Sequence, residues 1–437
     1  MKTYSCHRAV RAAGSCLLLA AFPLSAQEQE PAGISSVEQG QTPIDESFDW
    51  QQWRLEKRRE ALEDTTFKFN FRTYYMDRDK FDDTHSEAWA AGGLAGVKTG
   101  YFLDHIAFGL TGYTSQRLEG DTDEDGTLLL APGQEGYSVL GELYADVRIY
   151  DGLNFIAGRK EFDTPFINRN DTRMTPNAFE ALALQGLHKL DDGSSIKYGL
   201  GYFDQIKERN SDEFVPMSVD AGATVERGVF TAGALYQNGD FSIGGIDYFC
   251  EDIINIAYLE AKLAVPVADD WKVNLAAQYV DQRSVGGELL PGGDFESRQF
   301  GIKAEVPVGD ALFTVAYTDA SGDANLQNPW SGYPGYTAVQ VQDFNREGEG
   351  AFLLRAGYNF TAIDGLSAYA LGVFGTEPDQ AGEFRQDEYD LNLQWAPTEG
   401  VMKGLSLRLR YAFVQQDGGD DDTLTDFRVT CNYLFEF

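Results

Sequence analysis

The last eleven residues, 427–437, alternate almost strictly between apolar and polar side chains. One set is apolar throughout: Phe427, Val429, Cys431, Tyr433, Phe435 and Phe437. The other is Arg428, Thr430, Asn432, Leu434 and Glu436, in which only Leu434 is apolar. A period of two predicts a β-strand with one apolar and one wet face. At the edge of a soluble sheet, a strand this apolar would promote aggregation. Closing the sheet into a barrel removes that edge. We therefore expect an outer-membrane β-barrel whose Phe437 is recognised by the barrel-assembly machinery.

The N-terminus has the features of a secretory signal peptide. Lys2, Arg8 and Arg11 precede an apolar run at 12–24, and small residues end the segment at Ala26. The run is too short for a membrane-spanning helix. We predict a signal peptide at 1–26, a periplasmic segment at 27–65 and the barrel at 66–437.

A short helix is predicted at 49–63, within the periplasmic segment. Trp50, Trp53 and Leu55 form its more apolar side. Three positions remain open for this helix: the periplasmic mouth of the barrel, the lumen, or a simple lead into the first strand.

From Thr66 onward, alternating segments recur to the end of the chain. Clear examples begin near residues 67, 139, 271, 352, 389 and 405. In the segment that begins near 139, we assign Val139 to the same outward-facing set as Leu143. We expect about eighteen strands of roughly ten residues, the length that a tilted membrane strand requires. The predicted fold class is all-β: a transmembrane antiparallel β-barrel.

The predicted connections alternate between short and long. Tight turns are expected at 151–152, 238–239 and 307–310, where Gly, Asn and Asp are frequent. Long polar loops are expected at 116–136, 161–179, 208–226 and 319–350. Short periplasmic turns and long external loops are typical of membrane barrels, and less so of a soluble sandwich or propeller.

Charge and composition exclude several classes of function. The 69 acidic residues outnumber the 35 basic ones, for a net charge of −34, which argues against nucleic acid as a partner. The three histidines of the mature chain have no recognisable catalytic context, so we predict no enzyme. A disulfide between Cys250 and Cys431 is not expected, because Cys431 falls on the lipid-facing register.

The sequence predicts neither a metal site nor a cofactor. Residues 121–126 match the start of a calcium loop, but Pro132 occupies the twelfth position, where a bidentate Glu belongs. A solvated acidic surface is the favoured interpretation of this segment.

Arginines on the inward register are the sharpest functional signal. These are Arg72, Arg148, Arg355, Arg408, Arg410 and Arg428. Charge facing lipid at mid-membrane costs about 2–4 kcal/mol, so these side chains should face a lumen. The last two strands neighbour the first at the barrel seam. Arg72, Arg408, Arg410 and Arg428 should therefore form one cationic wall, which would attract carboxylates. The alternative is that these charges only solvate the wall and pair with Glu388, Asp390 or Glu436.

Four segments resemble the OprD family of substrate-specific outer-membrane porins, also called outer-membrane carboxylate channels. Residues 72–79 (RTYYMDRD) are similar to the opening motif of that family, and 166–176 to its third external loop. Residues 405–410 (LSLRLR) and 426–429 (DFRV) resemble its last two strands. The resemblance covers 66–437.

The resemblance implies eighteen strands and a pore narrowed by two inward-folded external loops, here 161–179 and 319–350. It also implies a basic ladder at Arg78, Arg408, Arg410 and Arg428, to which the register analysis adds Arg72 and Arg355. Acidic candidates facing this ladder are Asp163, Asp171 and Asp343. The helix at 49–63 is not a feature of the family, and residues 84–87 (THSE) occupy a position where some members carry a further Arg.

Taken together, the sequence predicts a channel for passive uptake of small carboxylate or amino-acid solutes, surrounded by outer-membrane lipid and lipopolysaccharide. Two alternatives remain open. One is a barrel that exports an acidic polysaccharide, and the other is an outer-membrane enzyme.

Overall fold

The computed structural model describes residues 50–268, 271–418 and 422–437. The predicted signal peptide at 1–26 and residues 27–49 of the predicted periplasmic segment lie outside this range. None of the helices within it has both the length and the apolarity that crossing a membrane requires.

The described chain consists almost entirely of long strands, which we label in chain order. The first part contains α1 (Trp50–Glu63), β1 (Thr66–Asp79), β2 (His85–Lys98), β3 (Ile106–Glu119), a 3-10 turn (Thr122–Glu124), β4 (Tyr137–Tyr150), β5 (Leu153–Lys160), β6 (Ala178–Lys189), β7 (Ser195–Lys207), β8 (Val215–Pro216) and α2 (Met217–Asp220). The middle part contains β9 (Val229–Asn238), β10 (Phe241–Cys250), β11 (Ile254–Ala268), β12 (Trp271–Ser284), β13 (Glu296–Val308) and β14 (Ala311–Gly322). The last part contains β15 (Gly350–Asn359), β16 (Leu366–Gly375), β17 (Gln386–Trp395), a 3-10 turn (Gly400–Met402), β18 (Leu405–Gln416) and β19 (Thr423–Glu436).

The strands form one closed antiparallel barrel. Each long strand pairs with the next, and β7 pairs directly with β9 because β8 is a two-residue strand beside the end of β7. Closure comes from β1 and β19, which pair from Lys68 with Glu436 to Asp79 with Thr425. The barrel therefore has eighteen long strands, which confirms the predicted fold class, and its backbone has no open edge.

The two faces of the barrel differ as the alternation predicts. On β1, Phe71 is 60% exposed on the outer face, whereas Arg72 is 9% exposed and Met76 is buried on the inner face. At the end of the chain, Phe437 and Phe435 stack on Phe67 and Phe69 across the seam. An outer face covered by apolar side chains is suited to contact with the hydrocarbon core of a membrane.

One predicted register is wrong. The pairing of β3 with β4 shifts between Thr111 and Gly112, so the alternation of β4 changes phase at Gly141. Leu140 is exposed on the outer face together with Leu143, and Val139 falls out of the outward set to which the sequence assigned it. A β-bulge adds one residue to a strand and reverses its alternation from that point.

The two rims differ in the length of their connections. The rim that holds both barrel ends, here the turn rim, carries tight turns such as that at Gly152, where φ is 90°. A positive φ of this kind favours glycine. The opposite rim, here the loop rim, carries four long segments: loop 2 (120–136), loop 3 (161–177), loop 4 (208–228) and loop 7 (323–349).

Helix α1 lies against the turn rim. The amide of Gly100, in the turn between β2 and β3, donates to the carbonyl of Ala61 at 2.9 Å. Lys57 also pairs with Asp104 of the same turn at 3.0 Å. Trp50 and Leu55, on the more apolar side of the helix, are exposed. Of the three positions left open by the sequence, these contacts correspond to the mouth of the barrel.

Loops 3, 4 and 7 fold into the barrel and fill much of its loop-rim half. Phe166 and Ile167 of loop 3 are fully buried, as are Trp330 and Phe344 of loop 7. Phe166 packs against the inward Tyr248 of β10, and Phe344 belongs to a second cluster with inward side chains of β14, β15 and β16. The two loops expected to narrow the pore therefore do fold inward. Cys250 and Cys431 are both free thiols, as predicted.

Candidate functional site at the pore constriction

Loop 3 is attached to the first strand through Arg72. Its guanidinium donates to both carboxylate oxygens of Asp171, at 2.6 and 3.1 Å, and also to the carbonyl of Arg173. On the wall itself, Arg72 Nε donates to Asn432 Oδ1 at 2.6 Å. Because an arginine presents its donors in a fixed planar fork, this arrangement fixes the position of loop 3 in the lumen.

The tip of loop 7 is attached to the wall on the other side of the seam. The amides of Val341 and Gln342 each donate to the carboxylate of Glu388 on β17 at 2.8 Å. Gln340 Nε2 donates to Asp426 Oδ1 on β19 at 2.8 Å, and Arg428 Nη2 donates to the carbonyl of Gln340 at 3.1 Å. The carboxylates of β17 and β19 therefore hold the loop.

Asp426 also forms ion pairs with two of the predicted ladder arginines. Arg428 Nε lies 2.5 Å from its Oδ1, and Arg78 Nη2 lies 2.5 Å from its Oδ2. Asp426 is fully buried and Arg428 is 2% exposed. The alternative prediction, in which the arginines pair with Glu388, Asp390 or Glu436, named the wrong carboxylates. Asp171 and Asp426 pair with arginines, whereas Glu388 and Asp390 accept hydrogen bonds from loop 7.

Arg408 and Arg410 differ from the other arginines of the wall. Arg408 Nε donates to the amide oxygen of Asn392 at 2.6 Å. Arg410 lies directly opposite Arg428 in the β18–β19 register, and its Nε has no hydrogen-bond partner. Neither guanidinium forms an ion pair with any carboxylate in the described part of the chain. Both therefore keep their charge available to a solute.

The remaining predicted arginines, Arg355 and Arg148, lie on the inward register of β15 and β4. Arg355 on β15 stacks over the ring of Tyr369, 3.9 Å from its centroid. Arg148 on β4 stacks over Tyr101 near the turn rim, also at 3.9 Å. Arg148 therefore lies apart from the seam arginines, whereas Arg355 is linked to them: Tyr369 lies opposite Asn392, and Asn392 lies opposite Arg410 in the strand register.

The three acidic candidates have different surroundings. Asp171 pairs with Arg72, as described above, and Asp163 pairs with Arg169 of its own loop at 3.3 Å. Asp343 lies in loop 7. Burial raises the pKa of its carboxyl to about 6, although the charge of Arg209 acts in the opposite direction.

Two further arginines, Arg173 and Arg209, were missed by the sequence analysis. Arg173 of loop 3 donates to the carbonyl of Thr127 at 2.8 Å, and Arg209 of loop 4 donates to Asn170 Oδ1 at 3.1 Å. Neither has a carboxylate partner among the residues that the structure describes. Burial lowers the pKa of both groups, and the nearby charge of Arg428 lowers both further. Register analysis could not find them because they lie in loops.

Arg173, Arg209, Arg410 and Arg428 lie close enough for their charges to act on one another. They come from loops 3 and 4 and from β18 and β19, which meet inside the lumen. Like charges gathered in a low-dielectric channel raise the local concentration of counter-ions. The arrangement can bind and pass small anions.

A group of possible metal ligands lies elsewhere. Asp77, Asp79 and His85 have ligand atoms within 4.8 Å of one another, as do His85, Glu87 and Glu124. The residues of this group that lie on β1 and β2 belong to the outward register at the loop rim, so they do not contribute to the constriction. In the predicted acidic loop, Asp125 accepts hydrogen bonds from the amides of Gly126 and Gly133. Its carboxylate therefore stabilises the loop conformation.

Comparison with known proteins assigns the chain to a family. Residues 59–437 match the family model described as "outer membrane porin, OprD family". The chain belongs to the OprD family of outer-membrane porins. It is therefore an outer-membrane β-barrel through which solutes are taken up, and the members compared below are porins. No significant match is found among curated proteins.

Solved OprD-family structures share the fold. OccK9 (OpdG) of Pseudomonas aeruginosa superposes with a TM-score of 0.78 at 23% identity, over 86% of this chain and 100% of that one. OpdK of Pseudomonas aeruginosa, solved with vanillate, has a TM-score of 0.75 at 21% identity and the same coverage. OccAB3 of Acinetobacter baumannii has a TM-score of 0.76 at 18% identity, again over 86% and 100%. At these identities the likeness concerns the fold.

Proposed function

We propose that this OprD-family porin selects small solutes that carry a carboxylate, including amino acids. The observation that carries the proposal is the set of arginines without carboxylate partners at the constriction: Arg173 and Arg209 from the loops, and Arg408 and Arg410 from β18. The whole chain has a net charge of −34, so an excess of positive charge in its narrowest part runs against the composition.

Each guanidinium can present two donors to a carboxylate, which gives directional as well as electrostatic recognition. Arg408 and Arg410 lie two residues apart on one strand, so a carboxylate can pass from one to the other without losing all its contacts. Binding that is shared among several sites allows both entry and release.

Asp343 supplies the complementary group. Its carboxyl lies in loop 7 near Arg209, and at neutral pH it is mostly ionised. An ammonium group on the solute could pair with it while the carboxylate contacts the arginines. This supports amino acids as one class of substrate, and the solved OpdK structure with vanillate supports carboxylates more generally.

The two alternatives raised by the sequence receive less support. Polysaccharide export requires a lumen wide enough for a polymer, whereas three buried loops occupy the lumen here. An enzyme is not supported by the family, whose compared members are porins.

The test uses the purified barrel in a planar bilayer. Reversal potentials in a gradient of sodium acetate would measure the permeability of acetate relative to sodium. We expect Arg408→Gln/Arg410→Gln to lower this ratio by roughly tenfold, equivalent to about 1.4 kcal/mol. Arg148→Gln, an inward arginine near the turn rim, is the matched control. An unchanged ratio in the double variant would refute the proposal.

A further inference from the structure

A cavity of about 500 Å³ lies inside the barrel on the wall of β6, β7, β9, β10 and β11. Loop 3 covers it through Phe162 and Pro165. The seam strands that carry Arg408 and Arg410 lie on a different part of the barrel wall. The volume falls within the range of pockets that hold small organic molecules.

The floor of this cavity is open because glycines face each other there. Gly199 on β7 pairs directly with Gly233 on β9, and both line the cavity. Gly199 lies on the inward register, since the adjacent Leu200 is 58% exposed on the outer face. Two opposed positions without side chains leave a flat recess of backbone in the wall.

Apolar side chains border the recess. Leu235 lies on the inward register of β9 and is 38% exposed to the lumen, and Ile246 of β10 and Phe203 of β7 also line the cavity. Barrel lumens are usually polar, so an exposed leucine on this face is unusual. These side chains can cover the apolar part of a solute.

Among the described residues, two of the three ammonium groups that line the cavity have no carboxylate partner. Lys262 pairs with Glu260 at 2.8 Å, and Lys160 lies over the ring of Tyr144 at 4.9 Å. Lys197, which lines the same cavity, has no ion pair within the described ranges of the chain. The carboxylates of Glu161 and Asp163 also line the cavity, and they lie 3.9 and 3.3 Å from the guanidinium of Arg169. An apolar recess beside two ammonium groups without a carboxylate partner matches an amphipathic anion.

We infer that the cavity beneath loop 3 is a second solute-binding site, which takes the compact apolar body of a monocarboxylate whose charged end contacts Lys197. This inference rests on the proposed function, because the solute must first pass the arginines of the constriction. The site distinguishes a carboxylate with a ring from one without.

The test compares benzoate with acetate on the purified barrel in a planar bilayer. Gly199→Leu fills the recess, and the structure tolerates a side chain there: an added Cβ would meet only the carbonyl oxygen of Leu184, at 3.4 Å. Gly112→Leu is the matched control, because Gly112 lies on the lipid-facing register of β3 and an added Cβ meets nothing within 4 Å. Lys197→Gln removes the cation, and Lys189→Gln at the turn rim is its control.

In the wild type, benzoate should interrupt the single-channel current, and acetate should not. We expect Gly199→Leu to lower the preference for benzoate over acetate by at least about tenfold and to leave acetate permeability unchanged. Lys197→Gln should shorten the benzoate interruptions, and both controls should behave as wild type.

Failure of the two proposals can be told apart. A wild-type barrel that carries neither anion would refute the proposed function. A barrel that carries both anions, but keeps its benzoate preference in Gly199→Leu and in Lys197→Gln, would refute only the second site.

Discussion

Arg72 on β1 and Asp171 in loop 3 form a two-point ion pair, with N–O distances of 2.6 and 3.1 Å. Arg72 is almost fully buried, so the loss of Asp171 would leave its charge poorly compensated. We expect Asp171→Asn to lower the free energy of unfolding by about 1–3 kcal/mol. Urea-induced unfolding in detergent micelles would measure it.

The control for this prediction is Asp240→Asn, which removes the exposed pair with Lys272. An exposed pair of this kind contributes up to about 1 kcal/mol. Equal effects of the two substitutions would mean that Asp171 does not hold loop 3.

The selectivity of the channel should depend on pH through Asp343. Burial raises the pKa of this carboxyl to about 6, so protonation near pH 6 removes a negative charge from the constriction. We expect the ratio of chloride to potassium permeability to rise as pH falls through 6. Reversal potentials in a KCl gradient between pH 4.5 and 8 would measure it, and Asp343→Asn should abolish the transition.

The raised pKa of the Asp343 carboxyl also affects the stability of the folded barrel. A carboxyl whose pKa is raised by folding favours the folded state most below its ordinary pKa, and that contribution disappears as pH rises through about 6. Asp343→Asn should therefore make the barrel more resistant to urea at pH 8 than the wild type. No difference at pH 8 would contradict this assignment.

Arg209 should set the pH at the midpoint of the change in the chloride-to-potassium permeability ratio. Its charge lowers the pKa of Asp343 against the effect of burial, so Arg209→Gln should move the midpoint to a pH above 6. The measurement is the same pH series of reversal potentials. Arg117→Gln, on the exposed end of β3, should leave the midpoint where it is in the wild type.

Trp330 should control the width of the constriction. Its side chain in loop 7 is buried, and its Nε1 donates to the carbonyl of Met217 in α2, within loop 4, at 2.8 Å. Trp330→Ala should cost about 3–5 kcal/mol of stability and increase single-channel conductance, because loops 4 and 7 lose this contact. Trp330→Phe keeps most of the packing, so its stability and conductance should lie between those of the wild type and those of Trp330→Ala. A conductance unchanged by Trp330→Ala would mean that loop 7 is held by its tip alone.

The sequence predicts the barrel well because its strands depend on a local pattern. An outward Phe71 next to an inward Arg72 can be read from two neighbouring residues, since the lipid imposes apolarity on one face. The bulge at Gly141 could not be read in this way, because it depends on the pairing of β4 with β3.

The residues of the constriction are harder to predict from the alternation of single strands. Arg408 and Arg410 follow from the register of one strand, but Arg173 and Arg209 reach the same region only after loops 3 and 4 fold inward. The role of Glu388 was also missed, because its partners are backbone amides of loop 7, which any sequence would supply. Only tertiary structure determines which buried carboxylate meets an arginine and which meets an amide.

The two constricting loops are attached on opposite sides of the seam. Loop 3 is bound to Arg72 on β1, and the tip of loop 7 is bound to β19 through Asp426, which also pairs with Arg78 on β1. The loops therefore reach their final relative positions only when the first and last strands have met. We therefore expect a barrel arrested before closure to lack its constriction.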